Sequence, residues 1–334
     1  MKILYINSRK FEYNEDLLVA GLTQRLGRQA VDLYPANIKN YFSRHSYPKN
    51  MAKSRPIRSW VPDSLSVLKR LRRFDYDLLL IGSIKADCMQ AFLSIKPFLS
   101  SSIPVVLIDG GDWPEIGGDA KRLGFESLFN SVMQVASPKL IFKREFQIGK
   151  HYEKNVVPFP MAFKPPENLA KAEAKYQVSC WCVESHPIRT QALTLLQDRY
   201  DCRSNGSVRG QSFRGYSRKG FGYLKELSAC RIACNFRGAG WDTLRYWEIP
   251  GVAALMLSQK PQIVIPNNFQ HEKHVIFCRD DLKDLISLLD YYVKNETERQ
   301  ELADAGYQHL KHNHNYLNRT DTFLDAIGTL GGTS

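Results

Sequence analysis

The chain has no apolar run approaching the roughly 20 residues that span a bilayer, so a helical membrane anchor is not expected. It has no pair of cysteines at the CxxC spacing of structural zinc sites. Its seven cysteines, an odd number set in apolar segments, do not read as a disulfide framework. They fit a reducing compartment and packing in the core. The opening Met1-Lys2-Ile3-Leu4-Tyr5-Ile6-Asn7 turns polar too early for a secretory signal and reads as the first β-strand of a cytosolic domain. No internal repeat of solenoid length is visible. Hydrophobic residues at 43% and charged residues at 24% then leave a soluble globular protein as the expected class.

Acids are scarce in one place. From residue 44 to 73 stand Arg44, Lys49, Lys53, Arg55, Arg58, Lys69, Arg70, Arg72 and Arg73 against the single acid Asp63. The formal net charge is +12, so this stretch carries two thirds of the excess. Tyr41, Phe42, Tyr47 and Trp60 flank or interleave the cluster. Basic residues beside aromatics suit a nucleic-acid backbone. Leu65, Leu68 and Leu71 beside Lys69–Arg73 suit docking on an anionic membrane face equally well. A solvated basic face without a partner is the plain alternative. Arg55, Arg58, Lys69, Arg70, Arg72 and Arg73 are the candidate polyanion contacts. Arg203, Arg209, Arg214, Arg218 and Lys219 form a second, glycine-rich basic stretch that reads as a loop.

What the chain does have is a repeated alternation of strand-like and helix-like segments. Apolar runs at 78–81 and 105–108 have the texture of buried parallel strands. Helical spacing at 15–26 and 86–96 separates such runs. Prolines 158, 160, 165 and 166 interrupt the pattern, and 158–175 reads as a linker. A second series follows, with strands expected at 178–183, 232–235, 253–257 and 262–265. Helices are expected at 187–197, 243–249, 282–293, 296–312 and 317–330. The prediction is an α/β protein with two Rossmann-like domains, 1–157 and 176–334, whose parallel sheets face across a cleft. The final helix is a candidate to pack back on the first domain.

Ligands of such sheets bind beyond the carboxyl ends of the strands. Three segments put polar residues there. In 235–251 a strand runs into a loop containing Gly238 and Gly240, then into a helix bearing Arg245 and Glu248 on one face. Glycines let a backbone approach an anion closely, and the free N–H groups of the helix start favour it. An arginine there can hold a diphosphate, and a carboxylate one turn on can accept both hydroxyls of a ribose. A glycine-rich connection with a surface ion pair is the plain alternative. In 184–189 a short polar loop enters a helix with Pro187 in its first turn and Arg189 behind it. In 105–115 a buried strand ends on Asp109, followed by Gly110-Gly111-Asp112. An acid there can take a proton from an acceptor hydroxyl, or simply form the turn.

From Cys234 to about Arg319 the chain resembles the C-terminal half of GT-B glycosyltransferases of the CgeB-like kind. The resemblance rests on Thr-Leu-Arg-Tyr-Trp-Glu at 243–248, the small-apolar strand 252–258, and Asp-Asp-Leu-Lys-Asp-Leu at 280–285. The tail from Arg299 through His312-Asn313-His314 fits as well. More loosely, the chain is similar to phage DNA β-glucosyltransferases. The resemblance implies a nucleotide-sugar donor, UDP-sugar by default, with Arg245 and Arg189 on the diphosphate and Glu248 on the ribose. It places the acceptor on the N-terminal domain and favours Asp109 as the base, with Asp112 the alternative. Many retaining members carry a second glutamate eight residues before the ribose-binding one. Gly240 stands there, which leans toward inversion. The Asp109–Asp112 spacing is not Asp-x-Asp, so no metal is expected. His309, His312 and His314 are expected to be structural.

The expected activity is sugar transfer to the hydroxyl of a glycan, a lipid-linked sugar or a protein, in the cytoplasm or at the inner membrane face. Hydroxymethylated bases of phage DNA are the alternative acceptor. A non-catalytic nucleic-acid or nucleotide-sugar binder is the alternative of another class.

Overall fold

The computed structural model describes residues 1–8, 12–35, 67, 69–71, 73, 76–165, 169, 172–212 and 220–331. Arg55, Arg58 and Arg72 of the basic cluster, and Arg214, Arg218 and Lys219 of the second one, lie outside the described residues. The chain forms two compact units, Met1–Ala162 with Tyr316–Ser334, and Phe163–Asn315. Among the described residues no helix is long and apolar enough to cross a membrane.

The first unit holds a parallel sheet of strands β1 (Ile3–Ile6), β2 (Val31–Tyr34), β3 (Leu78–Ile81), β4 (Val105–Asp109), β5 (Leu140–Lys143) and β6 (Val156–Pro158). Their order is β2-β1-β3-β4-β5-β6. Alternate residues of each strand face opposite sides of a sheet, and both sides here are covered. Leu4 and Ile6 of β1 join Phe92, Phe129 and Val132 from helices Ala86–Ile95 and Glu126–Ala136. Ile3 and Tyr5 join Leu18 and Leu22 of helix Tyr13–Leu26 on the other side, with Phe323 and Ile327 of helix Tyr316–Gly328.

Helix Tyr316–Gly328 is therefore part of the first unit's core. Phe323 is fully buried, with its ring centroid 4.9 Å from Phe142. Arg25 pairs with Asp321 through two bonds of 2.8 and 2.6 Å. Where the two helices meet, a Cβ on Gly21 would lie 1.8 Å from Thr320 Oγ1, so only glycine lets them pass at this distance.

The chain leaves this unit between Ala162 and Phe163. Pro158 closes β6 and Phe159 is buried in the first core, so the start of the stretch read as a linker belongs to the first unit. Edge position explains the proline: Pro158 stands on the last strand of the order, where a missing N–H costs least.

The second unit is a four-stranded parallel sheet, β7 (Tyr176–Ser179), β8 (Cys230–Asn235), β9 (Leu255–Gln259) and β10 (Ile276–Cys278). Its order is β10-β9-β8-β7. Val178, Cys180, Cys182, Cys202, Cys234 and Cys278 pack in its core with Leu193, Leu289 and Leu302. The cysteines act there as small apolar side chains. The strand expected at 262–265 is absent as a strand, and Ile276–Cys278 takes the edge position instead.

Candidate functional site

In the second unit β7 and β8 are adjacent and parallel, so the segments that follow them emerge side by side at the carboxyl edge of the sheet. After β7 the chain runs through Cys180–His186 into helix Pro187–Leu196. After β8 it runs through Phe236–Thr243 into helix Leu244–Gly251.

Arg189 ties these two loops together. It is only 5% exposed, and its Nε and Nη2 donate to Phe236 O at 3.2 and 3.0 Å. Its Nη1 donates to Val183 O at 3.0 Å and to Ser185 Oγ at 2.9 Å. The guanidinium is a planar fork matched to several acceptors at once, which a lysine could not be. Gly238 lies directly on it: a Cβ there would come within 3.0 Å of Arg189 Nη2. The loop then closes with Gly238 N–H donating to Gly240 O at 2.9 Å.

Arg245 and Glu248 stand on the first turns of helix Leu244–Gly251. Arg245 is half-buried, with Nη1 donating to Trp181 O at 3.1 Å, while Glu248 is buried. The helix start is fixed from below. Thr243 Oγ1 donates to Asn235 Oδ1 at 2.6 Å, and Asn235 Nδ2 donates to Ser258 Oγ at 3.0 Å. Trp247 Nε1 donates to Asp242 Oδ1 at 2.7 Å. Arg237 lies over the Trp241 ring, 4.5 Å from its centroid.

Two side chains at this edge titrate away from their ordinary values, and the guanidinium charges contribute to both. The Cys182 thiol is held below the usual thiol range, first by the hydrogen bond with Cys180 and then by the charges of Arg245 and Arg189. Burial, and after it the Arg237 and Arg189 guanidiniums, hold His186 below the usual imidazole range. Two helix starts, a glycine loop and three guanidiniums stand along one strand edge, a cradle whose chemistry suits an anion. Gly238, Gly240, Arg189, Arg245 and Glu248, the residues read from sequence, come together in it.

The first unit places its predicted acids differently. Asp109 is fully buried. Its Oδ1 accepts the Gly111 N–H at 3.1 Å, its Oδ2 accepts the Gly117 N–H at 2.8 Å, and Lys143 Nζ, also fully buried, lies 3.0 Å away. A carboxylate enclosed by two loop amides and a buried ammonium holds the 109–117 loop; it has no face open to an acceptor. The expectation that Asp109 faces a ligand is corrected on that ground. Asp112 is different: its side chain is 40% exposed, and it pairs with Arg144.

Glu12 and Lys85 were not singled out from sequence. They pair at 3.1 Å at the carboxyl edge of the first sheet, with Glu12 Oε1 beside Gly110. A lone acid ahead of a helix carries no spacing signal, and only the fold brings it to the Asp109–Asp112 loop. Of the basic cluster, Arg70 pairs with Asp32 at 3.5 Å, while Lys69 and Arg73 are exposed. His309 and His314 turn their Nε2 atoms to Asn267 O at 2.7 and 2.8 Å.

Residues 167–325 match the model of the glycosyl transferase-like family. No curated protein sequence matches. Solved structures match over almost the whole length. An α-glucosyltransferase in complex with UDP and a mismatch-containing DNA aligns at 11% identity with a TM-score of 0.62, covering 98% of this chain and 100% of that one. The glycosyltransferase of Rickettsia africae aligns at 10% identity with a TM-score of 0.59, covering 100% and 99%. Anabaena HepE in complex with UDP-glucose aligns at 10% identity with a TM-score of 0.57, covering 98% and 100%. At such identities the likeness establishes the fold, two Rossmann-like parallel-sheet domains of the GT-B type. Residues 167–325 thus carry the likeness to the glycosyl transferase-like family, and the chain as a whole has the GT-B fold.

Proposed function

We propose that the chain uses a UDP-sugar and transfers the sugar to an acceptor hydroxyl with inversion and without a metal. The observation that carries the donor reading is the cradle at the ends of β7 and β8. There Arg189 and Gly238 shape a loop beside Arg245 and the start of helix Leu244–Gly251. Arg245 and the helix amides take the diphosphate, and Glu248 takes the ribose hydroxyls. As the bond between the anomeric carbon and the diphosphate oxygen breaks, charge grows on the leaving phosphate. Arg245, Arg237 and the helix dipole offset it, the task a divalent cation performs in metal-dependent transferases. Asp112 accepts the proton of the acceptor hydroxyl as its oxygen attacks the opposite face of the anomeric carbon. Asp109 and Lys143 hold the loop on which Asp112 stands.

The acceptor is a hydroxyl of a glycan, a lipid-linked sugar or a protein, met in the cytoplasm or at the inner membrane face. A second reading, a hydroxymethylated base in DNA, is favoured by the charge pattern: nine basic residues against one acid between 44 and 73. Release of UDP from UDP-glucose in the presence of EDTA tests the reading, with a hydroxymethylcytosine duplex, an unmodified duplex and a lipid-linked glycan as acceptors. Mass spectrometry of the products identifies the acceptor. Asp112→Asn is expected to abolish transfer while UDP binding persists. Full turnover in that variant would remove Asp112 as the base, and absence of transfer with every acceptor would leave a binding protein.

A further inference from the structure

His186 ends the loop after β7 and caps helix Pro187–Leu196. Its Nδ1 accepts the Ile188 N–H at 3.3 Å, in the place usually held by a serine, threonine or aspartate oxygen. An imidazole nitrogen that accepts a backbone N–H carries no proton, so the neutral ring keeps its proton on Nε2. The ring is half-buried, and the charges that reach it are those of Arg189 on its own helix and Arg237 in the loop after β8. Glu184, the nearest acid in sequence, is engaged elsewhere: it accepts the Gly210 N–H at 2.7 Å, pairs with Arg209 and bonds Thr190. His186 is thus a neutral donor held at a helix start between two guanidiniums, where a proton is unwelcome until an anion arrives.

We infer that His186 is a phosphate ligand of the donor site and takes up a proton when the nucleotide sugar binds. The inference rests on the donor reading of the cradle and deepens it. Two bound phosphate charges reverse the field that Arg189 and Arg237 impose and raise the ring's affinity for a proton. Protonation converts Nδ1 from acceptor to donor. The Ile188 N–H is thereby released from the ring and becomes available to a phosphate oxygen, the usual partner of a helix N-terminus. The anion exchanges a cap made by the protein for one made by the ligand.

The sign of the linkage is fixed by this exchange. A group that binds a proton more tightly in the complex gives affinity that is full below its pKa in the free protein and is lost as pH rises through its pKa in the complex. The free ring lies below the usual imidazole range, so the loss begins there and extends toward neutral pH.

UDP-glucose is the probe of choice, because its phosphates are diesters, whereas the terminal phosphate of UDP titrates at about pH 6 in the manner of other phosphate monoesters. Calorimetric titrations from pH 6 to 8, in buffers of different ionisation enthalpy, count the protons taken up. The wild-type protein is expected to take up a fraction of a proton per UDP-glucose and to lose roughly three- to tenfold in affinity across the range. His186→Asn keeps a capping side chain that does not titrate, and it is expected to bind with neither proton uptake nor pH dependence. Equal proton uptake in the two proteins, or binding by the wild type with none, overturns the inference and leaves the donor site standing. Failure of the wild-type protein to bind UDP-glucose at any pH would contradict the donor site itself.

Discussion

The Asp109–Lys143 pair shows what a single residue does in this fold. Both side chains are fully buried, and the carboxylate also receives two loop amides. Removing one partner of such a pair leaves a charge in a dry interior and costs about 3–5 kcal/mol. Asp109→Asn is therefore expected to lower the thermal midpoint markedly, whereas Asp112→Asn, at a carboxylate whose side chain is 40% exposed, lowers it less. Equal melting of the two variants would contradict the division of roles between them. His274 gives a residue-scale dependence on pH. Burial, with the neighbouring His309 and Lys273, brings it down to about 4, while in the unfolded chain it titrates near the ordinary histidine value. Its ring stacks on His309 with centroids 4.0 Å apart, and its Nδ1 accepts the Gln270 N–H at 3.2 Å. Because the unfolded state binds the proton first, the stability this group contributes is present above pH 6.5 and is lost as pH falls toward 4. Thermal melts between these values are expected to show a shallower fall in His274→Asn; an identical slope would count against the assignment. The residues of the cradle were legible because strand, glycine loop, arginine and glutamate are neighbours in sequence. The burial of Asp109 was not legible, since its partner Lys143 ends a different strand and an acid after a strand reads the same whether buried or open.

At the scale of elements, the long apolar runs named their strands and the short ones did not. Leu78–Ile81 and Val105–Asp109 are covered on both faces and show it in composition. Ile276–Cys278 has three residues and follows a polar stretch with two histidines, so its pattern is too short to stand out. The run 262–265 looked more strand-like, but Pro261 and Pro266 on either side lack the N–H that a ladder needs. Helix Tyr316–Gly328 was visible by its spacing, whereas its seat against helix Tyr13–Leu26 depends on a long-range match between Gly21 and Thr320. Gly21→Val is expected to overpack that crossing and cost about 1–3 kcal/mol, read as a shift of the denaturation midpoint. An unchanged midpoint would mean that the two helices do not pass as closely as described.

At the scale of the molecule, the chain begins and ends in the same unit and inserts the second unit between Ala162 and Tyr316. The apolar, parallel texture of both halves made the α/β class readable before any contact was known. The final helix was readable as a candidate to pack back on the first domain, but the residues it would meet there were not. The uneven charge belongs to this scale too: nine basic residues stand against one acid between 44 and 73. In the function proposed for the chain, the cradle after β7 and β8 holds the phosphates of a nucleotide sugar, with Arg245 as its principal charge. The most direct test is calorimetric binding of UDP-glucose to the wild-type protein and to Arg245→Ala, both shown to be folded by their melts. A charge-assisted contact to phosphate contributes about 1.5–3 kcal/mol, so the variant is expected to bind roughly ten- to a hundredfold more weakly. Equal affinity of the two proteins, or no binding by the wild type, would contradict the account.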